Sequence, residues 1–199
     1  VTQLLLRPYL FLRHGETDWN AQHLSQGRTD IPLNAKGVTQ AEAAGELLAS
    51  LFEQGKSPFT HIVASPLKRA WVTAEHVRDV VHKKTGLLLP LIADEALQEV
   101  SFGVQEGQPM GDWYLPWIDG KFVPQGGEAF LELRQRAVQA VNRAHDQGEG
   151  NPLIVAHGAL FRALRQAMGL EVNVRLANAV PVHISHQDGV WEIEKMSHT

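Results

Sequence analysis

No cysteine occurs anywhere in the chain. That excludes a disulfide framework, a thiolate zinc site and a cysteine nucleophile, and it suits a reducing compartment, so a cytoplasmic protein is the expectation. No apolar run approaches the roughly 18 consecutive residues of a membrane span, and residues 1–12, interrupted by Arg7 and Pro8, show no signal-peptide cleavage pattern. Like-charge blocks, internal repeats and low-complexity tracts are missing as well. With 18 Lys and Arg against 22 Asp and Glu, a formal net charge of -4, the chain lacks the basic surface that general nucleic-acid binding needs. A few local cations can still dominate one cleft, so an anionic substrate stays open.

What is present reads as one domain over residues 1–199, since 44% hydrophobic content over that length can bury a sizeable core. Apolar runs predict strands over 9–13, 61–64, 87–92 and 153–156. Helical spacing predicts helices over 34–53, 128–146 and 159–168. Asn34 is a fitting cap for the first of these, with Val38, Ala41, Leu48, Leu51 and Phe52 on one face. Ser65-Pro66 reads as the start of another helix running to about Lys84, the cap followed by the ring at the first helical position. The tail reads as a hairpin, 180–185 and 190–195, around Gln187-Asp188-Gly189. Strand alternating with helix argues for an α/β layered domain with a mainly parallel sheet. Residues 94–127 break the pattern. They are rich in Gly and Pro and interleaved with Trp113, Tyr114 and Trp117, and so long a loop is usually functional. They read as an excursion over the active site, with Trp113 or Trp117 stacking on an apolar or ring-shaped leaving group.

Three of the strands run straight into a polar signal: Arg13-His14 after the first, Ser65-Pro66-Leu67-Lys68-Arg69 after the second, His157-Gly158 after a later one. In an open parallel sheet the carboxyl ends share one edge, where ligands bind. Two of these junctions are also helix starts, where free N–H groups and the helix dipole favour anions; Gly158 and Ala159 open one of them and are expected against the substrate. Two arginines, two histidines and two helix starts at one edge describe a pocket for a dianion such as phosphate. A neutral imidazole, one ring nitrogen held by a hydrogen bond, is a competent nucleophile toward phosphorus. Phosphoryl transfer then asks for positioning and charge stabilisation. Arg13 and Arg69 supply fixed cationic donors, and His157 adds another donor, most useful when protonated. A leaving alkoxide needs a proton; Glu99, in "LQEVSFGVQEG", is the candidate acid, with Glu106 the second choice.

With those residues in view, "LRHGETDWN" resembles the signature of the histidine phosphatase superfamily, the group that includes cofactor-dependent phosphoglycerate mutases, fructose-2,6-bisphosphatases and α-ribazole phosphatases. "QGRTDIPLNAKGVTQA", "ASPLKRAWVTAE" and "VAHGALFRAL" resemble its further blocks in order, and the matches span residues 9 to 165. The resemblance implies a three-layer α/β/α sandwich with a mixed, mainly parallel sheet. It implies that His14 becomes phosphorylated, that Arg13, Asn20, Arg69 and His157 bind the phosphoryl group, that Gln26 and Gly27 lie near the substrate, and that Glu99 is the proton donor. No metal and no cofactor are implied. Mutases typically carry Arg directly after the catalytic Glu, with Tyr just beyond; here Val100 and Phe102 stand there, and Lys121 is the only cation in 103–127. Without cations to retain a second phosphorylated group, water finishes the reaction. A phosphatase acting on a small phosphorylated metabolite is therefore the expectation. The alternatives are a phosphoglycerate mutase, a non-catalytic phospho-ligand-binding relative, and a zinc hydrolase using His14, Glu99 and His157. The last lacks helical ligand spacing of the H-E-x-x-H type and would set a cation beside two arginines. Neither nucleic acid nor membrane is expected as a partner, and a homodimer is left open. Asn178 is expected to brace the second-histidine loop, while Arg162 and Arg165 read as a solvated helix face, with Arg162 close to the pocket in sequence.

Overall fold

The computed structural model describes residues 2–197. Strands β1 (Tyr9–Arg13), β2 (His61–Ala64), β3 (Leu91–Ala93), β4 (Pro152–Ala156), β5 (Val182–Gln187) and β6 (Val190–Lys195) form one open sheet in the order β3-β2-β4-β1-β5-β6. The first four run parallel; β5 is antiparallel to β1, and β6 is antiparallel to β5. The sheet is thus mixed and mainly parallel. Helices α2 (Ala35–Glu53) and α3 (Lys68–Thr85) cover one face, α5 (Phe130–His145) and α6 (Gly158–Ala167) the other.

Strand periodicity explains the apolar runs. Tyr9 and Phe11 of β1 pack under α5 and α6, while Leu10 and Leu12 pack under α2 and α3, so a strand between two helix layers is apolar at every position. β4 divides the same way, Ile154 and Ala156 against Leu153 and Val155. Asn34 caps α2 by accepting the Gly37 N–H at 2.8 Å, and Gly86, at φ +77°, ends α3 in the left-handed region. The hairpin turns through Asp188 and Gly189, both at positive φ, the residue pair a tight β-hairpin favours. Among the described residues no helix is long and apolar enough to cross a membrane.

Several boundaries differ from the sequence-based expectation. α3 begins at Lys68, not at Ser65-Pro66: Leu67 is the extended cap residue, and the Lys68 N–H is taken by Asp30 Oδ1 at 2.8 Å. β3 covers 91–93 instead of 87–92 because Pro90 has no N–H for the ladder and the short β2 offers partners only to Leu91, Ile92 and Ala93. A four-residue helix, α1 (Asp18–Ala21), follows the first strand loop, closed by a reciprocal cap between Thr17 and Asn20.

The excursion is neither structureless nor a stacking platform. It contains two 3₁₀ turns and helix α4 (Tyr114–Ile118), and it is pinned by a bridge between Phe102 and Gly127. Trp117 is fully buried, with ring centroids 5.2 Å from Phe102 and 5.1 Å from Phe130, and its indole N–H donates to the Glu128 carbonyl at 2.8 Å. Trp113 packs edge-on against Phe102. These rings root the excursion in the core; the area they bury would be lost if they faced a ligand. Arg136 ties the two ends together. It donates to the carbonyls of Ala96 and Gln98 at 2.7 and 2.6 Å and forms a paired hydrogen bond with the Glu128 carboxylate, which fixes the segment leading into Glu99.

Candidate active site

The register β1–β4–β2 sets Arg13 opposite Ala156 and Ala64 opposite Val155, so His14, Ser65 and His157 leave the sheet at one edge. They meet at a cleft of about 360 Å³. Of the residues expected at the site, Arg13, His14, Asn20, Gln26, Gly27, Arg69, Glu99, Gly158 and Ala159 all line this cleft. His157 lies directly behind it, fully buried, its ring centroid 5.3 Å from that of His14.

Gly15 explains why the first strand ends as it does. A Cβ there would collide with the backbone of Gly37, and a Cβ on Gly37 with the backbone of Glu16. The loop after His14 thus lies directly on the first turn of α2, a contact only two glycines permit. The Thr73 hydroxyl accepts the Gly15 N–H at 3.1 Å, and Asn178 donates to the His14 carbonyl at 2.9 Å. Asn178 therefore braces the first histidine loop, not the second, because the 171–180 loop crosses β1, where Ala179 N–H bonds the Arg13 carbonyl.

His14 Nδ1 lies 2.6 Å from the Gly15 carbonyl. A carbonyl only accepts, so Nδ1 carries the proton and Nε2 carries a free lone pair. Burial, with Arg69 and Arg13 adding to it, holds this imidazole well below its ordinary pKa. The same causes, burial first and then Arg69, hold the His157 imidazole well below its ordinary pKa. Ser65 Oγ accepts the Leu67 N–H at 3.3 Å and shares a hydrogen bond of 2.8 Å with His157 Nε2. His157 Nδ1 is buried without a partner.

The arginines are held equally firmly. Arg69 donates through Nη1 to the Thr29 carbonyl at 2.8 Å and through Nη2 to the Gly27 carbonyl, while Arg13 Nη1 donates to the Leu176 carbonyl at 2.8 Å. Burial lowers both to a pKa of about 10, so both stay cationic at neutral pH. Arg13 Nε and Arg69 Nε are buried and without partners. They are unfilled donors of the two guanidiniums whose charges act on His14, and buried donors without acceptors are costly.

Glu99 occupies the helix start that the sequence reading assigned to an anion. Its carboxylate accepts the N–H groups of Ala159 and Leu160 at 3.0 Å each and its neighbour Val100's at 3.1 Å. The helix dipole thus holds a side-chain carboxylate at the cleft wall. At the other helix start, α3, Asp30 takes the Lys68 N–H. Glu106, the second choice, lies away from the lining. It accepts from Arg28 N, Thr29 N, the Thr29 hydroxyl and Phe102 N, which clamps two loops together. Gln26 accepts the Thr17 hydroxyl at 2.6 Å, and Asn20 closes the cap of α1.

The cleft also contains residues that sequence reasoning missed: Tyr114, Phe102, Met110, Arg175 and, against the expectation of a solvated face, Arg162. Arg162 had a signal, since it follows Gly158 by four residues and shares its helix face. Arg175 had none, because its loop is brought in only by the fold.

Three buried imidazoles, those of His14, His145 and His157, make stability depend on pH. His14 and His157 resist protonation in the fold, as does His145, lowered to about 4 by burial, whereas each protonates below about pH 6.5 in the unfolded chain. Below that pH the unfolded state binds more protons, so stability falls by about 1.4 kcal/mol per pH unit for each imidazole. The melting temperature should therefore be near level from pH 8 to 7 and fall steeply from 6.5 toward 5 in thermal scans.

Comparison with known proteins agrees with this geometry. The chain is 35% identical over 190 residues to a Bacillus subtilis (strain 168) protein named uncharacterized phosphatase PhoE, covering 92% of this chain and 90% of that one. It is 34% identical over 203 residues to a probable phosphoglycerate mutase GpmB of Proteus mirabilis (strain HI4320), covering 94% and 88%. Among solved structures, a mycobacterial glucosyl-3-phosphoglycerate phosphatase complexed with VO3 superposes with a TM-score of 0.76 at 28% identity, covering 97% of this chain and 100% of that one. A putative alpha-ribazole-5'-P phosphatase of Escherichia coli K-12 shares the fold, with a TM-score of 0.74 at 24% identity over 98% of this chain and 97% of that one. The model of the histidine phosphatase superfamily (branch 1) matches residues 9–199, and the chain belongs to that superfamily.

Proposed function

We propose that the chain hydrolyses small phosphomonoesters through a phosphohistidine on His14. The observation that carries this reading is the free lone pair on His14 Nε2 in a cleft lined by Arg13 and Arg69, with the His157 ring 5.3 Å behind it. In the first step Nε2 bonds to phosphorus while the ester P–O bond breaks, and the Glu99 carboxyl proton passes to the leaving alkoxide. In the second, Glu99 takes a proton from water, the hydroxide bonds to phosphorus, the P–N bond breaks, and phosphate leaves with Glu99 protonated again. The arginines and His157 stabilise the equatorial oxygens throughout.

Sugar phosphates, phosphoglycerates and α-ribazole phosphate form the substrate range to test; the 28%-identical mycobacterial relative, named for glucosyl-3-phosphoglycerate, supports including phosphorylated acids. Hydrolysis over mutase chemistry is supported by Val100, fully buried, and Phe102 beside the acid, where mutases place substrate-holding side chains. A second reading, phosphoglycerate mutase, is favoured by Arg162 and Arg175 in the cleft, cations that the count over 103–127 left out. Incubating the protein with 3-phosphoglycerate separates the two. Release of inorganic phosphate without added diphosphoglycerate supports the phosphatase; isomerisation to 2-phosphoglycerate with no phosphate released replaces it.

A further inference from the structure

Four guanidiniums line the cleft, those of Arg13, Arg69, Arg162 and Arg175, against the single carboxylate of Glu99. The chain as a whole is acidic, so this excess is local. A bound phosphomonoester dianion offsets two of the four cations, since Glu99 carries its proton in that state. Arg13 and Arg69 flank His14 and serve the transferring group; Arg162 and Arg175 lie further out.

Arg162 is held in place without a carboxylate. Its guanidinium carbon lies 5.4 Å from the Tyr114 ring centroid, Nη1 donates to the Tyr114 hydroxyl at 3.3 Å, and Nε is buried with no partner. Tyr114 in turn packs at 5.4 Å on the buried Trp117, so the cation is presented on a fixed aromatic platform. Arg175 is exposed and, among the described residues, forms neither a hydrogen bond nor an ion pair with any side chain. After burial, the nearby charge of Arg175 is the largest influence lowering Arg13, and Arg162 acts in the same sense, so the outer cations lie within electrostatic reach of the inner ones. Arg162 lies one helical turn beyond Gly158, about 6 Å along the axis, a span that a phosphorylated three-carbon acid bridges.

We propose that Arg162 and Arg175 form a second anion subsite, which selects phosphomonoesters whose leaving group carries a carboxylate or a second phosphate. This rests on the phosphatase reading above. The two side chains act as specificity determinants on the leaving group and take no part in the transfer itself.

Matched substrate pairs test it. 3-Phosphoglycerate and glycerol 3-phosphate differ by a carboxylate in place of a hydroxymethyl; fructose 1,6-bisphosphate and fructose 6-phosphate differ by a second phosphate. The expected result is a kcat/KM at least about tenfold higher for the member of one pair that carries the second anionic group, a charge-assisted contact's worth. The pair that shows it identifies the group. In Arg162→Met and in Arg175→Met the ratio should fall several-fold toward one, carried mainly by KM of the ester with the second anionic group. Arg175, exposed and uncontacted, can be replaced without threatening the fold, and a ratio is insensitive to any general loss in the Arg162 variant. Equal kcat/KM within both pairs, or a ratio unchanged in both variants, overturns the subsite and leaves the phosphatase intact. No hydrolysis of these esters or of p-nitrophenyl phosphate overturns the phosphatase reading and the subsite with it.

Discussion

Replacing His14 by Ala should lower turnover of any phosphomonoester by about 10⁴-fold or more, because the route through a covalent phosphoenzyme disappears with its nucleophile. The remaining site is intact on structural grounds. Arg13 and Arg69 are held by the carbonyls of Leu176, Thr29 and Gly27, and none of these bonds involves the imidazole. Phosphate or vanadate should therefore still bind the variant within a few-fold of the parent affinity, measured by calorimetry. A phosphorylated substrate labelled at phosphorus should leave acid-labile, alkali-stable label on the parent protein and none on the variant. Label retained after loss of His14 would point to His157 and would require exchanging the two roles. The variant also loses one buried neutral imidazole, so its melting temperature should depend less on pH below 6.5 than that of the parent.

Glu99→Gln is the second large effect, with kcat for alkyl phosphates falling by about 10²- to 10³-fold, the usual worth of a positioned proton donor and acceptor. The size should depend on the leaving group. p-Nitrophenolate leaves without protonation, so the first step with p-nitrophenyl phosphate should persist while the second, which needs Glu99 to activate water, slows. A rapid burst of about one p-nitrophenol per active site should then precede a slow steady state. Equal losses for alkyl and nitrophenyl esters with no burst would remove Glu99 from the acid–base role. The variant also carries a structural penalty. Glu99 accepts three backbone N–H groups with its two oxygens, and an amide must turn a donor toward at least one of them, at a cost of about 1–3 kcal/mol. Denaturant unfolding separates that loss from the chemical one, since the burst is read per folded site.

The inner ring of the site was legible in the sequence for a definite reason. His14 and His157 each follow a buried strand directly, and Arg69 lies five residues after the end of β2. Parallel strands in register deliver whatever follows them to one edge, so their junctions converge once the sheet is inferred. Glu99 was accessible as the candidate acid by its place after β3. Its second occupation, as the cap of α6, was not. Nothing in the order Glu99 to Ala159 indicates that a carboxylate fills the helix start reserved in the sequence reading for the substrate.

The sequence alone therefore determined the alternation of strands and helices, the two-sided burial of β1, β2 and β4, and the set Arg13, His14, Arg69 and His157, because strand and helix periods and strand-end polarity are local properties. Only the tertiary structure decided that the His157 imidazole lies well below its ordinary pKa, that the tryptophans of the excursion point into the core, and that Arg162 and Arg175 face the same cleft as Arg13. Protonation depends on burial and neighbouring charge, and the direction of a ring or a guanidinium depends on contacts made across the chain. These are sums over residues distant in sequence, and no window along the chain contains them.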